Sequence, residues 1–233
     1  MKKTFLNLSA LVIIAGTITL VGCKKDDVTA PVVTLTGDAS QTISLNSTYT
    51  DPGATATDDR DDEVTVTSDA ATVVMKDSAG TYTVTYKSVD EAGNEGKATR
   101  EVIVKNDAVA MEGNYDGSET DADGPYTYAG NSNSAKVVTI TASKTKNNRV
   151  WINRLGDHAN NKVYLDITGN DISIPSQSVS NVGSGSASCD VHNRRSSGTG
   201  SKTSTGFTLK YSDEKLSPCT GNRVDVNATF TKK

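Results

Sequence analysis

The sequence predicts an all-β protein, a β-sandwich followed by an antiparallel β-meander or barrel-like domain. Three observations carry that prediction. Thr, Ser, Val, Asn, Asp and Gly dominate, and the long Leu-Ala-Glu-Lys runs of helical proteins are absent. Period-two alternation recurs, most cleanly where Tyr82, Val84 and Tyr86 share one face and threonines the other. Turn signals such as Ala92-Gly93-Asn94, Asn147-Asn148 and Gly169-Asn170-Asp171 separate these runs. At 233 residues the chain accommodates one large or two small β domains.

The first segment is set apart from the fold. Lys2 and Lys3 precede a mostly apolar stretch, Phe5 to Leu20. It is shorter and more interrupted than the ~20 apolar residues a spanning helix needs. Residues 1–22 therefore read as an export signal. Leu20-Val21-Gly22-Cys23 resembles the lipobox of bacterial lipoproteins. The resemblance implies cleavage before Cys23 and a diacylglyceryl thioether on its sulfur. Residues 23–29 would then be a lipidated tether. One acyl chain, at about 0.8 kcal/mol per buried methylene, binds marginally, whereas two bind durably. Lys24-Lys25-Asp26-Asp27 resembles a lysine-then-acidic tag that in some Gram-negative groups directs lipoproteins to the outer face of the outer membrane. A solvated charged tether is the alternative. The expected location is the outer membrane, lipid-anchored and surface-exposed.

A formal charge of −4 excludes a general affinity for nucleic acid. Of the three cysteines, lipidation of Cys23 leaves Cys189 and Cys219 as an even pair in an oxidising compartment. A disulfide between them would close a loop of about 30 residues and add roughly 3 to 4 kcal/mol on the chain-entropy model. Free thiols, or a metal site with His192, are the alternatives.

The first domain, 30–106, opens with the strand Pro31–Gly37, and Thr42–Leu45 is expected to continue the same edge. Val64–Val66, Gly80–Tyr86 and Lys97–Lys105 follow. About seven short strands at this spacing describe a sandwich. Tyr49-Thr50-Asp51-Pro52-Gly53-Ala54, Ala79–Tyr86 and Asp90-Glu91-Ala92-Gly93-Asn94 resemble the bacterial surface immunoglobulin-like domain also found in insecticidal crystal proteins. The resemblance implies an Ig-like spacer or adhesive module, with Tyr82 at a tyrosine corner. In such a sandwich the chain enters at the pole carrying the B–C and F–G loops and leaves at the opposite one. Asp58, Asp59, Asp61, Asp62 and Asp90 should therefore gather near the anchored end, as a calcium site or as solvated acidic loops.

The second domain, 107–233, follows a short linker through Glu112. Val137–Thr141, Val150–Ile152, Val163–Ile167, Ile172–Ile174, Phe207–Tyr211 and Val224–Phe230 each place apolar residues on one face. Gly113–Gly117, Ile172–Gln177 and Thr229–Lys232 resemble the lipocalin-like meander domains of surface lipoproteins. The Ser/Gly/Asn-rich stretch Ser176 to Gly206 departs from that pattern, and Asn193–Gly198 is expected as an exposed loop.

Trp151 is the single tryptophan, and parity with Val150 and Ile152 turns it outward. With Tyr126, Tyr128 or Tyr164 it would form a stacking platform for the apolar face of a sugar; capping the core is the alternative. Asn131, Asn133, Asn160, Asn161 and Asp157 are candidate hydrogen-bonding partners, or plain turn residues. His158 and His192 stand apart, and the nucleophile, zinc and phosphate-loop motifs are absent. The expectation is a non-enzymatic surface binding or adhesion module for a glycan or another surface polymer, with a glycan or a surface protein as its partner. The alternatives are a structural spacer of an envelope complex and a lipocalin-like carrier of a small apolar ligand.

Overall fold

The computed structural model describes residues 26–60, 64–121, 124–127, 137–155, 158–182, 192–215 and 224–233. The N-terminal domain is a sandwich of two sheets. β1 (Val32–Leu35) pairs antiparallel with β3 (Ala54–Thr57). The larger sheet has the order β2 (Ser40–Ser44), β6 (Glu95–Lys105), β5 (Gly80–Val89), β4 (Val66–Ser68). β1 and β2 do not share an edge as expected: the chain crosses between sheets after Leu35, and β2 runs parallel to β6. Among the described residues the sandwich has six strands where about seven were expected, and a single helical turn, Ala70–Val73, seats Ala70 in the core.

That core is small. Among the described residues only Ala70, Val84, Tyr86 and Val102 form its fully shielded apolar cluster. Beside them on the same face of β6 lies Arg100, 0% exposed. Its Nε donates to the Asp38 carbonyl at 2.9 Å and Nη2 to the Thr36 carbonyl at 2.6 Å. Nη1 donates to the Tyr86 hydroxyl at 2.7 Å and to Asp51 at 3.0 Å. The Tyr86 hydroxyl in turn donates to Asp51. A buried guanidinium thus ties the crossover between sheets to the Asp51-Pro52-Gly53 turn. Tyr82 donates its hydroxyl to the Ser78 carbonyl at 2.6 Å, the tyrosine corner the resemblance implied.

The second domain is a closed barrel. Its strands are β7 (Gly113–Asp121), β8 (Gly124–Thr127), β9 (Val138–Ala142), β10 (Arg149–Leu155), β11 (His158–Thr168), β12 (Asp171–Val182), β13 (His192–Lys202), β14 (Gly206–Lys215) and β15 (Val224–Lys232). Neighbours in sequence pair antiparallel from β9 to β15. β15 then returns to β7, which pairs with β9 through its first residues and with the short β8 through its last. β7 and β9–β15 close the ring and leave β8 as a flap. Phe207 and Phe230 stack at 4.6 Å inside, and Tyr115 meets Phe207 edge-on at 5.2 Å. Farther along the bore the interior turns polar: Glu119 accepts the Tyr211 hydroxyl at 2.9 Å, and Asp213 accepts Ser196 at 3.2 Å.

Where it is described, the Ser/Gly/Asn-rich stretch is mainly strand rather than loop: residues 176–182 belong to β12 and 192–202 to β13. Residues 193–198 belong to β13, in continuous register with β14. Its composition follows from the packing. A Cβ on Gly198 would lie 2.3 Å from the Lys210 carbonyl oxygen, and one on Gly200 2.0 Å from that of Thr208. The strand is bare because its neighbour's Tyr211 and Leu209 fill the interior there. Pro175 sits where the β12 register shifts, a position a sheet tolerates. Gln177 repairs the gap: its side-chain amide accepts from the Tyr164 N–H at 2.9 Å and donates to the Tyr164 carbonyl at 2.8 Å.

The expected linker is a 3-10 helix, Asp107–Met111, with Ala108 and Met111 buried against the barrel core. Asn106, 3% exposed, is the hub of the joint. Its Nδ2 donates to the carbonyls of Ser143 (2.9 Å), Lys146 (3.2 Å) and Arg149 (2.9 Å). Its Oδ1 accepts from the N–H groups of Ala108 (2.9 Å) and Asn148 (3.0 Å). Asn46, in the left-handed region at φ 66°, grips the same hairpin from the sandwich. It donates to the Thr145 carbonyl at 3.1 Å and accepts the Asn147 N–H at 2.7 Å. The Ala79 N–H donates to the Lys144 carbonyl at 2.7 Å. The sandwich and barrel are joined by a hydrogen-bonded socket.

Candidate binding surface on the barrel wall

Val150 and Ile152 point into the barrel at 0% exposure, so alternation turns Trp151 to the outer wall. The β10–β11 register places Tyr164 directly opposite Trp151 and Asp166 opposite Arg149. Trp151 and Tyr164 meet edge-to-face with ring centres 5.7 Å apart, and both are partly exposed. Arg149 sits over the Tyr164 ring, its guanidinium carbon 3.7 Å from the centroid. Asp166 holds that guanidinium with two bonds, from Nε at 2.6 Å and from Nη2 at 2.8 Å. These bonds raise the Arg149 pKa further above its ordinary value, against the opposing effect of burial.

The result is a ladder of four side chains on one outward face, fixed from several sides. Thr141 flanks Trp151 on β9, Gln177 clamps the backbone of Tyr164, and Asn106 holds the Arg149 carbonyl. Such a surface offers an aromatic shelf next to a paired donor and acceptor. Of the sequence-nominated aromatics, the structure brings Trp151 and Tyr164 together. Tyr126 is described only as a backbone position in β8, opposite Glu119, and Tyr128 lies outside the described residues. Neither Arg149 nor Asp166 was expected as part of this platform. Parity shows Asp166 facing outward with Tyr164, but only the strand register reveals that Arg149 meets it.

Of the acidic residues, Asp58, Asp59 and Asp90 gather with Asp27 at the opposite end of the sandwich. β5 runs about 30 Å from the joint at ~3.3 Å per residue, and its loop to β6 returns near the start of the described chain. There the Asn94 side chain donates to the Asp27 carbonyl at 3.3 Å, and Arg60 pairs with Asp27 at 3.5 Å. Oxygens of Asp27, Asp58 and Asp59 lie within 4.8 Å of one another. Asp90 is spent on its own turn: its two oxygens accept the Asn94 N–H and side-chain amide, each at 2.7 Å. Burial alone would raise the Asp90 carboxyl, but the Asn94, Gly93 and Ala92 hydrogen bonds hold it below the usual range. Asp61 and Asp62 lie outside the described residues, as do Cys23, Cys189 and Cys219. Among the described residues no helix is long and apolar enough to cross a membrane.

A family model for the Ig-like domain of bacterial surface proteins matches residues 33–104. The match coincides with the sandwich and includes Asp51, Tyr82, Tyr86 and Arg100. No curated protein matches the chain. Among solved structures, the lipoprotein BT2262 from Bacteroides thetaiotaomicron is similar at 15% identity and a TM-score of 0.31. The likeness covers 87% of this chain and all of the other, and is too slight to carry a further reading.

Proposed function

We propose that this protein is a non-enzymatic, lipid-anchored surface protein whose Ig-like domain holds a barrel-shaped binding module away from the membrane. The outward Trp151–Tyr164 pair, backed by Arg149 and Asp166, carries the reading. An exposed aromatic ring beside fixed polar groups is what recognition of a carbohydrate chain uses, because sugars present apolar C–H faces ringed by hydroxyls. The site belongs on the wall. The barrel's own Phe207, Phe230, Leu209 and Ile152 fill the bore near the joint, where a lipocalin-like carrier would need a hollow.

The anchor remains part of the proposal through Cys23, only a few residues before the acidic pole. A tether leading into that pole would leave the sandwich at the end opposite the barrel. Trp151→Ala should reduce retention on polysaccharide affinity gels about tenfold or more, as loss of a central aromatic contact does, with the barrel's melting little changed. Cys23→Ser should abolish labelling by a radioactive fatty acid. Capture of one fixed protein partner with no polysaccharide retention would favour a spacer in an envelope complex instead.

A further inference from the structure

We propose that the Arg149–Asp166 pair makes the platform selective for uncharged pyranose chains, gripping two neighbouring hydroxyls while Trp151 supports the ring. This rests on Trp151 and Tyr164 serving as the platform. The Nε and Nη2 bonds to Asp166 leave Nη1 without a partner among the described residues. The pair is accessible, with side-chain exposures of 23% for Arg149 and 36% for Asp166. One sugar hydroxyl can therefore accept from Nη1 while the next donates to a carboxylate oxygen.

Stacking on Tyr164 and the fork to Asp166 fix the guanidinium before any ligand arrives, which lowers the ordering cost of binding. The charges decide the class. Asp166 neutralises Arg149, so a uronate carboxylate gains little from the cation and meets a carboxylate beside it. The chain's formal charge of −4 also opposes polyanions. A neutral diol is matched by this pair, and an acidic sugar is not.

The test is affinity electrophoresis of the intact chain through gels containing laminarin or galactomannan, which are neutral, or polygalacturonate or alginate, which are acidic. Wild type should be retarded by a neutral polymer in a manner sensitive to Trp151→Ala. Asp166→Asn should weaken that retardation about tenfold, as loss of a charge-assisted contact does, and shift preference toward polygalacturonate. Retardation stronger in the acidic polymers, still lost in Trp151→Ala, overturns the selectivity and leaves the platform standing. An Asp166→Asn variant that keeps full neutral binding overturns the role of the pair. No retardation in any gel, or retardation indifferent to Trp151→Ala, removes the platform and this inference with it.

Discussion

Arg100→Met should destabilise the N-terminal sandwich by about 3–5 kcal/mol, the usual cost of removing one member of a buried charge network. The loss exceeds what its modest apolar core offsets, so the first thermal transition should fall or vanish while the barrel transition persists. The substitution strands the carbonyls of Thr36 and Asp38, leaves that of Gly53 with the Thr36 N–H alone, and leaves Asp51 with only its hydroxyl and amide donors. Arg100→Lys should not rescue it, because an ammonium cannot reproduce a fork reaching five groups at once.

The pH dependence has a definite sign. Burial pushes the Asp51 carboxyl up, but Tyr86, Gly53, Ser68 and Arg100 together hold it below the carboxylate range. Its contribution is full at neutral pH and is lost as pH falls through that depressed folded-state value. Burial first, then Asp51, raises the Tyr86 phenol well above the tyrosine range. That contribution is present below the unfolded tyrosine value and is lost as pH rises toward the raised one. Calorimetry of the sandwich transition should show both flanks, with the acid flank flattened in Arg100→Met. An Arg100→Met chain melting like wild type would contradict the clamp.

Asn106→Ala should uncouple the two domains at a cost on the order of 2–4 kcal/mol, since five backbone groups lose a shielded partner at once. Small-angle scattering should change from the profile of one rigid particle to that of two bodies with a distribution of separations. A second consequence follows from geometry. Because Asn106 holds the Arg149 carbonyl at 2.9 Å, the joint also braces the strand that carries Trp151. Polysaccharide affinity should therefore fall in Asn106→Ala even though no platform side chain is altered. An unchanged scattering profile would show that the remaining contacts of Asn46 and Ala79 suffice to hold the socket.

Much of this architecture is legible in the sequence. Alternation gave the faces of β5, β6, β10, β11 and β14 correctly, because one side of each strand must be apolar. The poles of the sandwich followed from its topology, and Asp27 does meet Asp58 and Asp59. What escaped was what depends on partners distant in the chain. Arg100 falls on the apolar face of β6 and looks like a break in the pattern, although Asp51, 49 positions earlier, is its counter-charge. β13 has too few apolar residues to announce a strand, because its inward space belongs to Leu209 and Tyr211 of the next one. The linker resembled a spacer because a lone Asn gives no sign that five backbone groups converge on it. In the same way Arg149 became part of the platform only once the register with β11 was fixed.

Trp151 is the only tryptophan in the chain, so its fluorescence reports the proposed surface without labels. Titration of the intact protein with laminarin should shift the emission saturably and shield the indole from acrylamide, with half-saturation matching the affinity measured in gels. Emission and acrylamide quenching that stay constant while the polymer demonstrably binds would place recognition elsewhere on the molecule and contradict the account.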